Sequence, residues 1–341
     1  MQICRVLNVV TAAAAALVLP ALASAQTFES VGGRAQAMSG AFVAVADDAT
    51  ASWWNPAGLA TGEYLSAVFE KGRMTEPETP SLDAPATRTS FNDFAVAFPA
   101  LGLSYYHLRI SATTPPDSTG TGGPNRQDPR TAGTSLRSIA ITQLGTTIGQ
   151  SIGDYLVVGA TLKLMRSGAM SGISTDAVPL DAADGLSPSR KTRGDLDLGA
   201  MATLGHLRLG LTLKNVTEPT FDTGGSDSLT LRRQARVGMA VTSGKHVIRQ
   251  GITVAADADL TTTSTGVGDV RHVAAGIESW TARGRVALRA GASANTVGER
   301  RPAGSVGVGV ALTRALYVNA SRVVGRDKSV TGWSSRVNVA F

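Results

Sequence analysis

The chain reads as an all-β protein, a closed antiparallel transmembrane β-barrel of about fourteen strands. Three observations predict this. From Tyr64 onward, apolar residues recur with a period of two rather than 3.6. Fourteen segments alternate in this way, and most approach the roughly 9–11 residues a tilted strand needs to cross a bilayer. Long and short connections also alternate along the chain, as expected of a barrel with large loops outside and tight turns in the periplasm.

Residues 1–25 read as a secretory signal peptide. Arg5 supplies the positive start. Val6 to Leu22 is apolar and alanine-rich, broken by Pro20, and Ala23-Ser24-Ala25 is a small-x-small cleavage site, making Gln26 the mature N-terminus. The apolar run is short for a membrane anchor and ends at a cleavage signal. The single cysteine, Cys4, lies in this leader.

The expected strands span 64–73, 89–98, 101–111, 134–146, 155–167, 194–204, 207–215, 233–241, 247–260, 270–280, 283–294, 303–312, 315–323 and 332–341. The clearest is 207–214, where four leucines alternate with Arg208, Gly210, Thr212 and Lys214. Val306, Val308, Val310 and Leu312 alternate with Gly307, Gly309 and Ala311, and Trp333, Val337, Val339 and Phe341 oppose Ser334, Arg336, Asn338 and Ala340. Twelve or sixteen strands also fit the pattern, because the boundaries are soft. An even count places both barrel ends in the periplasm, so the pattern predicts a bacterial outer-membrane location.

The phase of each strand follows from side-chain cost. A Lys or Arg facing lipid near the midplane costs about 2–4 kcal/mol. Lys163, Arg208, Lys214, Arg285 and Arg289 are therefore expected in the lumen, and Asp195, Asp197, Asp257, Asp259 and Glu278 fall in the same phase. Such a lumen pairs its charges, whether or not it conducts. A soluble secreted β-sandwich or propeller would alternate too, with its apolar face inside. The small residues on the apolar face and the terminal Phe341 of an alternating strand favour the membrane, although only 5% of residues are aromatic.

The composition excludes other classes. One cysteine and four histidines in unrelated segments leave no disulfide scaffold, no zinc pattern and no expected metal or cofactor. A net charge of +6 over 341 residues, with no basic run, gives no nucleic-acid footprint. The glycine-rich run at 32–40 lacks the Gly-Lys-Ser/Thr ending of a phosphate loop, and no Gly-x-Ser-x-Gly occurs, so no enzyme signature is present. Asp257-Ala258-Asp259 could mimic a metal-binding pair, but its phase beside many arginines favours ion pairing.

Between leader and first strand lies a stretch of another kind. It runs Gly32-Gly33-Arg34-Ala35-Gln36-Ala37-Met38-Ser39-Gly40-Ala41-Phe42-Val43-Ala44-Val45-Ala46-Asp47-Asp48 and on through Trp53-Trp54-Asn55-Pro56-Ala57-Gly58-Leu59. Asp47-Asp48 can cap a short helix through Ala49 to Trp54, and Asn55-Pro56-Ala57-Gly58 reads as a turn. This stretch resembles the start of the FadL/TodX-type outer-membrane proteins and their PorV/PorQ relatives, with Ser39 where that group more often has glycine. Leu209 to Val216, Val254 to Asp259 and Arg289-Ala290-Gly291 are similar to barrel strands of the PorV side.

The resemblance implies a fourteen-stranded barrel (63–341) with the N-terminal segment (26–62) folded into the lumen as a plug. It implies plug or gating roles for Asp47, Asp48, Trp53, Trp54, Asn55 and Pro56, against the more ordinary reading that all six stabilise the plug without touching ligand. In FadL-type members the barrel passes hydrophobic molecules such as fatty acids or aromatic hydrocarbons. In PorV-type members it partners a secretion apparatus. The expected contacts are thus outer-membrane lipid with either a small hydrophobic ligand or secretion-system proteins. Outer loops poor in large apolar residues, at 112–133 and 168–193, weigh toward the second reading. A transporter should hold an apolar pocket inside. A secretion partner should fill its lumen with charge pairs and display apolar residues on its loops.

Overall fold

The computed structural model describes residues 31–341 apart from 78–79, 81–83, 116–132, 177, 223–227, 244–250, 266–267 and 282. The leader, its cleavage site and residues 26–30 lie outside the described residues.

Alternation produces a closed barrel, as expected. Its strands are β1 Ser66–Glu76, β2 Ala86–Phe98, β3 Leu101–Thr114, β4 Thr134–Ile152, β5 Leu156–Ser174, β6 Lys191–Leu204 and β7 Leu207–Lys214. After a small hairpin, β8 Thr220–Asp222 and β9 Ser228–Thr230, come β10 Gln234–Thr242 and β11 Gly251–Asp259. A second small hairpin, β12 Thr263–Thr265 and β13 Gly268–Val270, precedes β14 His272–Thr281, β15 Val286–Asn295, β16 Ala303–Ala311, β17 Leu316–Gly325 and β18 Thr331–Ala340. Fourteen strands, all but the two hairpins, pair antiparallel with their neighbours, and β1 pairs with β18 from Ser66↔Ala340 upward to close the ring. Closure matters physically because an open edge would leave backbone groups unpaired in hydrocarbon.

Both ends of the barrel, Ser66 and Ala340, sit at the rim that carries the tight turns, which makes that rim periplasmic. Leu209, Leu211, Leu288, Val306, Val308 and Val310 are exposed on the outside, while Thr212, Lys214, Ala287 and Arg289 on the same strands are buried. An apolar wall that faces outward around a polar, buried interior is the arrangement of an outer-membrane barrel and the reverse of a soluble sandwich. No described helix is long and apolar enough to cross a membrane; the strands do the crossing.

The structure corrects two expectations. Arg285 is not luminal: it lies exposed in the turn before β15, its amide bonded to Thr281 O. Residues 168–174 and 191–193, read as loop, continue β5 and β6. The segment between them carries the helix Pro179–Gly185, which folds back on the outer face of the wall. There Leu180 and Ala183 are buried, Arg88 pairs with Asp181 and Asp184, and the outward Ser138 and Ala140 of β4 are covered. Lys71, Arg73, Arg166 and Arg322, which the sequence reading did not place, are in outward phase and exposed. Arg73, Arg166 and Arg322 lie in the outer halves of their strands, where the cost of a lipid-facing cation falls toward about 0–1 kcal/mol, whereas Lys71 stands at the midpoint of β1.

Candidate functional site

The lumen is filled by the protein's own N-terminal segment. Two short helices, α1 Gly33–Ala37 and α2 Ala51–Trp54, are followed by a 3₁₀ turn at Pro56–Thr61. From Val31 to Leu59 nearly every residue is buried. The segment crosses the bore: α1 packs on β15 to β18 and β1, and the 3₁₀ turn packs on β4, β5 and β6.

Local sequence explains its shape. The N-cap of α2 is Thr50 rather than the acidic pair, and Asp48 Oδ1 accepts from Thr50 N at 2.9 Å and from the Thr50 hydroxyl. Asn55 caps the 3₁₀ turn, its Oδ1 accepting from Ala57 N at 3.1 Å, with Pro56 at the first position, where a missing N–H is harmless. Asn55 Nδ2 also donates to Val43 O at 2.9 Å and to Ala200 O of β6 at 3.2 Å. Ser39 takes a left-handed conformation, φ 53°, a position that favours glycine. Its hydroxyl bonds that of Ser305 on β16 at 2.8 Å.

Charge holds the first half of the plug. Arg34 contacts Asp47, Asp48 at 3.2 Å and Glu278 of β14 at 2.6 Å, and Arg289 of β15 meets the same Glu278 at 2.6 Å. Arg336 of β18 reaches Asp48 at 2.8 Å and Glu70 of β1 at 3.2 Å, while Glu70 accepts from Gly33 N at 3.0 Å. Burial pushes the Asp48 carboxyl up, but the Arg336 and Arg34 guanidiniums outweigh it and hold the group well below the usual carboxylate range. Five carboxylates (Asp47, Asp48, Glu70, Asp93 and Glu278) meet three guanidiniums here. Asp93, beside Glu70 and Tyr106 in register, has no hydrogen-bond partner for either oxygen among the described residues.

On the β10–β11 wall, Asp257 Oδ2 accepts from Phe42 N and Val43 N, both at 2.8 Å, and Arg236 binds Asp259 at 2.6 Å. Asp257 and Asp259 thus act as a backbone clamp and an ion-pair partner. Lys163 sits between Asp195 at 2.7 Å and Asp197 at 2.6 Å. Lys214 places its ammonium 3.1 Å from the centre of the Trp53 ring, and Trp53 packs on Tyr106 with centroids 5.0 Å apart. Trp54 packs edge-on to Phe42 at 5.8 Å. Arg208 lines the periplasmic side of the lumen.

Sequence reasoning missed Arg34, Glu70, Asp93, Arg236 and Arg336 as network members, although inward phase on their strands was a usable signal for the last four. It also missed the glycines that seat the plug. Gly149, Gly159 and Gly199 are direct cross-strand neighbours on β4, β5 and β6, and a side chain on Gly159 or Gly199 would collide with Asn55, Pro56 or Ala57. Gly276 and Gly291, paired on β14 and β15, do the same for Met38, and Gly210 for Val43.

The plug leaves space on both sides. On the outer side is a cavity of about 120 Å³, whose lining includes Trp54, Met74, Phe91, Val270, Val323 and Val330. On the periplasmic side is one of about 310 Å³, with Arg34, Asp47, Arg208, Glu278, Tyr155 and Trp280 among its lining.

A lumen sealed by its own N-terminal segment inside a fourteen-stranded, outwardly apolar wall defines the class: a plugged outer-membrane β-barrel. The family model described as "F plasmid transfer operon, TraF, protein" matches residues 84–259, more than half of the chain, and the chain belongs to that family. No curated protein matches the sequence. In structure the chain is similar to the toluene transporter TbuX of Ralstonia pickettii, with 14% identity and TM-score 0.63, covering 92% of this chain and 99% of that one. It is similar to the CymD monoaromatic hydrocarbon channel (11% identity, TM-score 0.62, covering 93% and 99%). It is also similar to a Pseudomonas aeruginosa FadL homologue (14% identity, TM-score 0.57, covering 94% and 99%). At these identities the common property is the fold. The FadL/TodX-type resemblance of the N-terminal segment therefore extends to the whole architecture, whereas the family match falls on the barrel from β2 to β11.

Proposed function

We propose that the protein is a gated outer-membrane channel for small hydrophobic compounds, with residues 26–62 as the gate. The observation that carries this reading is the cavity between the outer mouth and the plug, where Phe91, Met74, Val323 and Val330 line one part and polar residues such as Glu76, His272, Asn295 and Arg301 another. Its volume, about 120 Å³, approaches the roughly 150 Å³ at which an apolar cavity accommodates benzene. A ligand held there contacts the plug directly and reaches the periplasmic cavity only when the plug shifts.

The residues of the gate have distinct parts. Trp54 is fully buried directly beneath the outer cavity, packed on Phe42. Asp48, through Arg34 and Arg336, ties the plug to the wall, and Asn55 with Pro56 fixes the turn against the glycines of β5 and β6. Trp53 is held under Lys214, away from the outer cavity. The charge-filled lumen is a feature expected of a secretion partner, but of the similar structures named above TbuX is a toluene transporter and CymD a monoaromatic hydrocarbon channel, and the apolar Leu180 and Ala183 of the helix Pro179–Gly185 are buried on the wall rather than displayed.

Uptake of a labelled monoaromatic hydrocarbon by a host lacking its own channel tests the reading. Expression of this protein should raise uptake, and Trp54→Arg should abolish the gain. Uptake equal to that of the empty host overturns the channel. In planar bilayers, deletion of residues 30–60 should raise conductance; an unchanged conductance places the segment outside the permeation path.

A further inference from the structure

The seam where the first and last strands meet carries a basic cluster on its outer face. We propose that Lys71, Arg73 and Arg322, grouped around Trp333, form a seat for a phosphate-bearing lipid headgroup of the outer leaflet.

The argument begins with register. Arg73 of β1 lies opposite Trp333 of β18, and Trp333 lies opposite Arg322 of β17. Lys71, two residues down β1, is opposite Ser335. Neighbouring strands lie about 4.8 Å apart, so the two arginines stand on either side of the indole at about 10 Å, with the lysine below. All three cations are exposed, and none has a hydrogen-bond or ion-pair partner among the described residues. Trp333 is 40% exposed and is the one exposed tryptophan of the four.

Height fixes the ligand. β1, β17 and β18 are 11, 10 and 10 residues long, barely enough to span. Arg73 and Arg322 are each three residues from the outer ends of their strands, and Trp333 is two residues from the start of β18. The row beneath is wholly apolar: Val318, Val337 and Phe69 in register, continuing to Phe94 and Tyr105. Arg73, Arg322 and Trp333 therefore sit in the outer halves of their strands, near the level at which indoles anchor and cations reach upward. Lys71, at the midpoint of β1, reaches that level only by extending its long stem.

Charge fixes its chemistry. The outward residues of β17 are Val318, Ala320, Arg322 and Val324, those of β18 are Thr331, Trp333, Ser335, Val337 and Val339, and those of β1 are Ala67, Phe69, Lys71, Arg73 and Thr75. No acid is among them. The turn above, Arg326–Lys328, adds two cations against one acid. Guanidinium pairs at this spacing suit phosphate oxygens, with the exposed Ser335 as a further hydroxyl donor.

The test uses the full mature protein in neutral detergent, with diphosphoryl lipid A and its dephosphorylated form as probes in native mass spectrometry. Near an anionic headgroup each such cation is worth about fivefold in affinity, so Lys71→Gln, Arg73→Gln and Arg322→Gln together should weaken retention of the phosphorylated lipid on the order of a hundredfold. The dephosphorylated lipid should bind wild type and variant alike. Tryptophan emission should shift on adding the phosphorylated lipid, and the shift should vanish in Trp333→Phe. The three substitutions remove no contact within the described protein, so heat-modifiable migration should persist and certify the fold. Equal retention of the phosphorylated lipid by wild type and triple variant overturns the proposal. So does a protein partner that occupies the patch without regard to phosphate.

Discussion

The two halves of the plug are held by different physics. Its first half, from Gly33 to Asp48, is latched by charge: Arg34, Asp48, Glu70, Glu278, Arg289 and Arg336 form one connected set across β1, β14, β15 and β18. Its second half, from Ser52 to Leu59, has no ion pair with the wall among the described residues. It is held by backbone approach to Gly159 and Gly199 and by neutral bonds: Thr212 to Trp54 O at 2.8 Å, Thr161 to Ser52 O at 3.3 Å and Asn55 to Ala200 O at 3.2 Å. Charge tolerates small displacements, because a Coulomb attraction decays slowly with distance. Close-packed backbone does not. Under the proposed gating, the ion-paired side is the one that would shift, although Met38 and Val43 of the first half also lie close against Gly276, Gly291 and Gly210, and the second half would be the hinge.

Three substitutions test this division. The largest effect belongs to Arg336→Met, which strips Asp48 and Glu70 of a buried partner; the cost is about 3–5 kcal/mol. It should appear as a large fall in the temperature of heat modification on gels, with raised conductance in planar bilayers. A variant that migrates and conducts like wild type would show that the latch is not made of charge. Next, Gly159→Val drives a side chain into the Pro56–Ala57 backbone, with an overpacking cost of about 2–3 kcal/mol. Here the thermal transition should fall while the charge network stays intact, so Arg336→Met and Gly159→Val should add rather than couple. Smallest is Asn55→Ala, which removes bonds to Val43 O, Ala200 O and Ala57 N and costs about 1–2 kcal/mol. If Asn55→Ala destabilised more than Arg336→Met, the assignment of latch and hinge would reverse.

The barrel was legible because its signal is repeated in every strand. Period-two alternation in 207–214 or 303–312 needs no tertiary context, and a membrane makes its reading strict: one face must be apolar. All fourteen barrel strands fall on expected segments, with the largest displacements at the turn end of β4, which runs to Ile152, and at the outer end of β5, which runs to Ser174. The plug's seat was not legible. Gly159, Gly199 and Gly276 look like any small luminal residue until the chain that crosses the bore is placed against them. Arg34 and Asp48 are far in sequence from Glu278 and Arg336, and pairing across such distances is decided only by closure. Arg285 was misplaced because phase says which way a residue points but not whether the strand has already ended. Lys71, Arg73 and Arg322 were not placed at all, because the cost of a lipid-facing cation depends on depth, and sequence gives phase without depth.

The connection of Asp48 to the last strand has a consequence for assembly. Arg336 belongs to the final segment of the polypeptide, and Glu70, its other partner, to the first strand. The plug precedes both in the chain, yet its ionic socket does not exist until the two ends of the wall meet. An inserting intermediate that lacks β18 thus carries an N-terminal segment with half a berth. Zipping Ser66 to Ala340 completes the wall and the socket together, so the act that makes the cylinder watertight is also the act that corks it.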